Sequence, residues 1–194
     1  MKLRFPVLAL ALALTTIGVH AQGGLYLNPI FTHISTSTAD TGPFAFLGEG
    51  VTSKTFGGVV FGGYYDVFHQ PKFDISLDMR DSIVHGGNAS LNSFLFGARF
   101  AAKPVRSSFK PYVQLSVGDG RSKPPLSPIH ANKFTFNIAA GIDRPINRHV
   151  DWRIVEVGYG SVTTIGSYIY SGNTVAAPST QLINFSTGLV FRIP

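Results

Sequence analysis

The stretch "FDISLDMR", Phe73–Arg80, decides the fold. Phe73, Ile75, Leu77 and Met79 fall on one parity, and Asp74, Ser76, Asp78 and Arg80 on the other. In a strand, successive side chains point to opposite faces, so this segment carries an apolar row and a charged row back to back. A soluble sheet would turn the charged row to water. A membrane barrel would turn it into the lumen and give the apolar row to lipid.

The N-terminus bears on that choice. Lys2 and Arg4 precede a short apolar run, Val7–Val19, and Val19-His20-Ala21 forms a small-residue cleavage site. This is the pattern of a secretory signal peptide over residues 1–21, with residues 22–194 expected as a single domain. Processing would remove two of the 16 basic residues against ten acids, so the net charge falls from +6 to +4. No basic run accompanies it, which argues against nucleic acid as a partner. There are no cysteines, hence no disulfide framework and no thiolate metal site. Charged residues make up only 13% of the chain, against roughly 25% in soluble domains. A surface so poor in charge fits a chain whose surroundings are partly lipid.

The rest of the chain repeats the motif of "FDISLDMR". Strand-like segments are expected at 25–35, 55–67, 73–82, 92–101, 110–118, 133–143, 150–159 and 182–193, with no amphipathic helix of convincing length. Phe94, Phe96 and Phe100 oppose Ser93, Gly97 and Arg99; Phe134, Phe136 and Ile138 oppose Thr135, Asn137 and Asp143. Two segments resist the pattern. Both rows of 25–35 hold apolar residues, and Arg153 and Glu156, three apart, take opposite faces of 150–159 unless a bulge intervenes. Connections 36–54, 119–132 and 161–180 are long and polar, whereas 68–72 and 144–149 are tight. Long loops at one end and short turns at the other are the membrane-barrel layout.

Charge placement then orients the faces. Lys54, Lys72, Lys103, Lys110, Lys123 and Lys133 all fall in connections or at strand ends. A soluble barrel would place lysines mid-strand on its wet face. Among the charges within strands, Asp74, Asp78, Arg80, Arg99, Asp143, Arg153, Glu156 and Arg192, four acids against four arginines, make up the candidate lumenal set. Arginine suits bidentate pairing in a confined space. Tyr26, Tyr65, Tyr112, Trp152 and Tyr159 stand near strand ends, as an interfacial girdle would. The expected fold is therefore all-β, an eight-stranded antiparallel up-and-down transmembrane β-barrel with the charged row inside. The competing arrangement is a secreted lipocalin-like barrel with an apolar interior.

The final strand, "NFSTGLVFRIP" (184–194), with "FKPYVQLSVGDG" (109–120) and "FTFNIAAGIDRPINRHVDWRIVEVGYG" (134–160), resembles the small outer-membrane barrels related to the membrane domain of outer membrane protein A. The resemblance spans residues 22–194 and implies a porin-like barrel in the outer membrane of a Gram-negative-type cell envelope. It also implies outer-membrane lipid as surroundings, and periplasmic chaperones and the barrel-assembly machinery as partners during biogenesis. That family usually ends on Phe; here Ile193 takes the corresponding parity and Pro194 follows.

Catalysis is not expected. "THIS" places His33 and Ser35 on one strand face, yet nothing nearby supplies the acidic or amide group that orients a His–Ser pair. His85, His130 and Asp119 share the long-loop end without metal-ligand spacing, and no cofactor or metal is expected. The eight in-strand charges are the candidate site. An eight-stranded barrel is just wide enough for side chains to fill it, so these groups are expected as a lumenal ion-pair network. A structural or surface-interaction role follows, with any extracellular ligand of the long loops unspecified. The alternatives are a narrow passive pore and a lipid-modifying enzyme.

Overall fold

The computed structural model describes residues 23–37, 39, 45–104, 107–126, 130–163, 168–170, 173–175 and 179–193. The expected signal peptide, residues 1–21, lies outside the described residues. All eight expected segments are strands: β1 (Gly23–Thr36), β2 (Ser53–His69), β3 (Phe73–Gly86), β4 (Ala89–Ala102), β5 (Lys110–Lys123), β6 (Ala131–Pro145), β7 (Val150–Thr163) and β10 (Ser179–Ile193). Two short strands, β8 (Tyr168–Tyr170) and β9 (Asn173–Val175), pair with each other in what reads from sequence as loop. Each long strand pairs antiparallel with its neighbours, and β1 closes on β10, giving a closed eight-stranded up-and-down barrel. Among the described residues there is no helix.

Exposure settles which way "FDISLDMR" faces. Leu77 and Met79 are outward and exposed, whereas Asp78 and Arg80 are buried. The same holds around the wall: Phe94 is 51% and Leu115 62% exposed, while Arg99 is 4% and Arg153 1%. A continuous apolar belt of this extent is a surface for lipid, since soluble monomers rarely expose more than a few hundred Å² in one patch. On β3 the belt runs from Phe73 to Asp81. That is about 27 Å of strand at ~3.4 Å per residue, or roughly 20 Å of height after a ~40° tilt, near the ~25 Å band of such barrels.

Asp81 stands on the outward parity, in register with Phe61 and Phe94, and is an in-strand charge outside the eight that the alternation singles out. Ile83 follows it on the same face, opposite the exposed Val59. With His33, Asn92 and Asp119 on other strands, Asp81 lies in the upper zone where polar residues begin to mix into the outward apolar face. Above that level β5 continues to Lys123 with Asp119 and Arg121 pointing outward. The ladder therefore outlasts the alternation, and most strands run several residues further toward the long loops than the pattern foretold. The link between β3 and β4 is shorter than expected: Gly86 pairs with Ala89, leaving a two-residue turn in which Gly87 adopts φ +64°.

Both ambiguous strands resolve. On β1, Leu25, Leu27 and Phe31 face out, and Tyr26, Ile30 and Ile34 face in. On β7 a register shift, with Ile142 opposite Val155 but Asp143 opposite Arg153, puts both Arg153 and Glu156 inside. The girdle is corrected in two places. Trp152 and Tyr159 are exposed on the wall, but Tyr26 and Tyr112 are each 3% exposed and point into the lumen.

Candidate functional site in the lumen

Four strands deliver six of the eight candidate charges to one level of the lumen. Arg80 holds Asp78 (Nε–Oδ1, 3.1 Å) and Glu156 (Nη1–Oε1, 2.8 Å). Arg153 holds Glu156 (Nη1–Oε2, 3.3 Å) and Asp143 (Nε–Oδ1, 3.0 Å). Arg99 holds the other oxygen of Asp143 at 2.9 Å. The result is one chain, Asp78–Arg80–Glu156–Arg153–Asp143–Arg99, with charges balanced three against three. β3 and β7 are four strands apart around the closed ring, so the Arg80–Glu156 pair crosses the barrel along a diameter.

Neutral groups fill much of the remaining hydrogen-bonding capacity, as buried charges require, although Arg99 Nε is left without a partner among the described residues. Tyr26 donates to Asp78 at 3.0 Å, and Tyr112 donates to Glu156. The Gln114 amide donates to Asp78 at 2.6 Å while its carbonyl accepts from Arg80. The arginine planes also stack on rings. Arg99 lies between Tyr64 and Tyr112, 4.4 and 4.2 Å from their centroids, and Arg153 lies 4.6 Å from Tyr26. Room for those rings comes from glycines directly across the ladder: Gly24 opposite Tyr64, Gly62 opposite Tyr26, Gly141 opposite Tyr112. A Cβ on Gly141 would lie 2.5 Å from the Tyr112 ring, and one on Gly62 2.7 Å from the Tyr26 hydroxyl.

Asp74 and Arg192 do not join this chain. They sit at the turn end in two separate clusters. Asp74 pairs with Lys103 at 2.6 Å and with His69 at 2.7 Å. Arg192 pairs with Asp151 at 3.1 Å, which Lys110 also approaches at 3.3 Å. Arg192 also donates to the carbonyl of Asn147. Sequence reasoning left out Asp151, Lys103 and Lys110 because they sit at strand boundaries, where parity carries little information. It also missed Gln114, Tyr26 and Tyr112, although Gln114 and Tyr112 share the polar parity of β5.

Above the ions, toward the long loops, the lumen changes character. Ile34, Phe56, Val60, Val84, Leu91, Val162 and Leu182 point inward and are fully or almost fully buried. The connection between β1 and β2 folds down onto them. Phe46 and Leu47, 0% and 1% exposed, enter the mouth, and the Phe46 ring stacks on Phe56 with centroids 5.5 Å apart. Between this apolar cap and the ionic layer lies a small cavity of about 20 Å³ edged by Thr32, Ser93 and Asn137. Among the described residues the lumen thus holds two packed layers, ions at mid-height and hydrocarbon above. Composition alone did not foretell the apolar storey.

The remaining candidates lie elsewhere. His33 and Ser35 share a face, on the outside of the barrel; the His33 Nδ1 lies 3.1 Å from Thr55 Oγ1. His85 and His130 are exposed, and Asp119 faces outward on β5.

No family model matches the chain, and no curated protein does. Solved structures do match it over nearly its whole length. Neisserial surface protein A superposes with a TM-score of 0.57, covering 89% of this chain and 99% of its own at 13% identity. The fold is that of the small outer-membrane barrels. Ail, the attachment invasion locus protein of Yersinia pestis, gives a TM-score of 0.55, covering 90% of this chain and all of its own at 8% identity. The structure of Ail in complex with the heparin analogue sucrose octasulfate gives 0.53. At these identities the likeness is one of fold.

Proposed function

We propose that this chain is an outer-membrane barrel, delivered by its signal peptide, periplasmic chaperones and the barrel-assembly machinery, that serves as a closed structural or surface-interaction element. The observation that carries this reading is the Arg80–Glu156 pair across the diameter of the ring. A solute moving along the axis would have to separate ions held at 2.8 Å, both of them buried away from solvent. Removing one partner of such a buried pair costs about 3–5 kcal/mol, a measure of how firmly the two are held. The apolar cap of Phe46 and Leu47 closes the same path a second time. Without a passage, what the molecule presents is its wall to lipid and its long loops to the exterior.

Planar-bilayer recording on refolded protein tests this. The expected trace is a silent bilayer after insertion is verified by heat-modifiable migration. A stable, large conductance step would refute the closed barrel and favour the pore. A lipid-modifying role finds little support in the geometry, since among the described residues the His33 imidazole engages a threonine hydroxyl and no carboxylate.

A further inference from the structure

The turn end holds a second constellation that the closed-barrel reading does not use. Residues 66–74 read "DVFHQPKFD", and the hairpin of β2 and β3 folds them back on themselves. A register shift at Val67, between Asp66 and Phe68, places His69 opposite Asp74. Without that extra residue His69 would fall on the other parity. The carboxylates of Asp66 and Asp74 and the His69 imidazole thus bring three ligand atoms within 4.8 Å of one another. Asp74 is nine-tenths buried with its carboxylate aimed into the group. Ser76 donates to Asp66 at 2.5 Å and orients it, as outer partners orient metal-binding carboxylates.

A cation already stands at this spot. The Lys103 ammonium lies 2.6 Å from Asp74 and 3.0 Å from His69 Nε2, with the Gln70 carbonyl at 3.2 Å. Lysine is a point charge on a flexible stem, and this one is partly exposed at the rim. The group opens onto a cavity of about 40 Å³ also edged by Tyr64, Asp151 and the cations Arg99, Lys110 and Arg192, of which Lys110 and Arg192 are held by Asp151; it is roomy enough for water ligands. One imidazole nitrogen with two carboxylates is a donor set for first-row divalent ions, Zn²⁺ among them.

We infer that Asp66, His69 and Asp74 form a divalent transition-metal site at the turn-end mouth, with Lys103 as a resident counter-cation that the metal displaces. The test is isothermal titration of ZnCl₂ into full-length refolded protein in nanodiscs, comparing the native barrel with His69→Ala and Lys103→Met. Both changes are at the rim, and heat-modifiable migration verifies that each variant is folded. The native barrel is expected to take up one equivalent. His69→Ala should weaken binding about tenfold or more, and Lys103→Met should tighten it about tenfold, because a competing positive charge is gone. Absence of saturable uptake by the native barrel would overturn the site. Uptake indifferent to His69→Ala would assign the metal to the exposed histidines elsewhere and overturn it equally. Failure of Lys103→Met to tighten binding would overturn the displacement.

Discussion

Arg153→Met offers the sharpest measure of the ionic layer. The side chain is 1% exposed and touches two carboxylates, Asp143 at 3.0 Å and Glu156 at 3.3 Å, with Tyr26 and Tyr112 against its plane. Methionine keeps much of the volume and removes the charge. Asp143 then relies on Arg99 alone, Glu156 on Arg80 alone, and the layer carries one uncompensated negative charge. Truncating one partner of a buried, hydrogen-bonded pair costs about 3–5 kcal/mol. The chain has a single tryptophan, Trp152, next to Arg153 and facing outward, so urea unfolding in micelles can be followed by its fluorescence alone. Adding Glu156→Gln restores neutrality and leaves two intact pairs, Arg80 with Asp78 and Arg99 with Asp143. The double variant should therefore be at least about 1–2 kcal/mol more stable than the two single losses summed, within the range of coupling between contacting groups. A cost under about 1 kcal/mol for Arg153→Met, or additivity in the cycle, would refute the network as an energetic unit.

Two further outcomes follow. Phe46→Ala should cost about 3–5 kcal/mol as a large-to-small change in a closed core; limited proteolysis should then cleave the β1–β2 connection while heat-modifiable migration of the barrel persists. Leu115→Arg, in mid-belt, should cost roughly 2–4 kcal/mol in lipid vesicles, whereas Asp81→Arg, at the belt's edge, should cost about 1 kcal/mol or less; equal costs at the two positions would contradict the placement of the lipid boundary.

How much of this the residues announce depends on which solvent each face meets. On β3 to β6 one face meets lipid and the other a polar lumen, so alternation exposes both the strands and the orientation of Arg80 and Arg99. β1 hides its parity because its inner face, with Ile30 and Ile34, reaches the apolar cap. Two apolar rows look alike in a linear pattern. β7 hides its parity behind a bulge, which no local residue choice betrays. Strand ends beyond the belt, such as Asp119–Lys123 on β5, lose the lipid signal while keeping their ladder bonds. The candidate charges on the polar parity were readable for the same reason as the strands. Their division into a central chain and two rim clusters was not, since it depends on height along a tilted strand and on which groups meet across the ring.

The facing pairs of tyrosine and glycine bear on how the cylinder finds its correct closure. Sliding one strand past another by two positions preserves parity, so neither lipid nor lumen would object. The rings would object. Tyr112 lies flat only where Gly141 leaves a gap, and Tyr26 only where Gly62 does; shifted by two, each ring meets a neighbour with no such gap built for it. Every tyrosine acts as a key cut for one notch, and three notches spread over the β1–β2 and β5–β6 seams check alignment where polarity alone is blind.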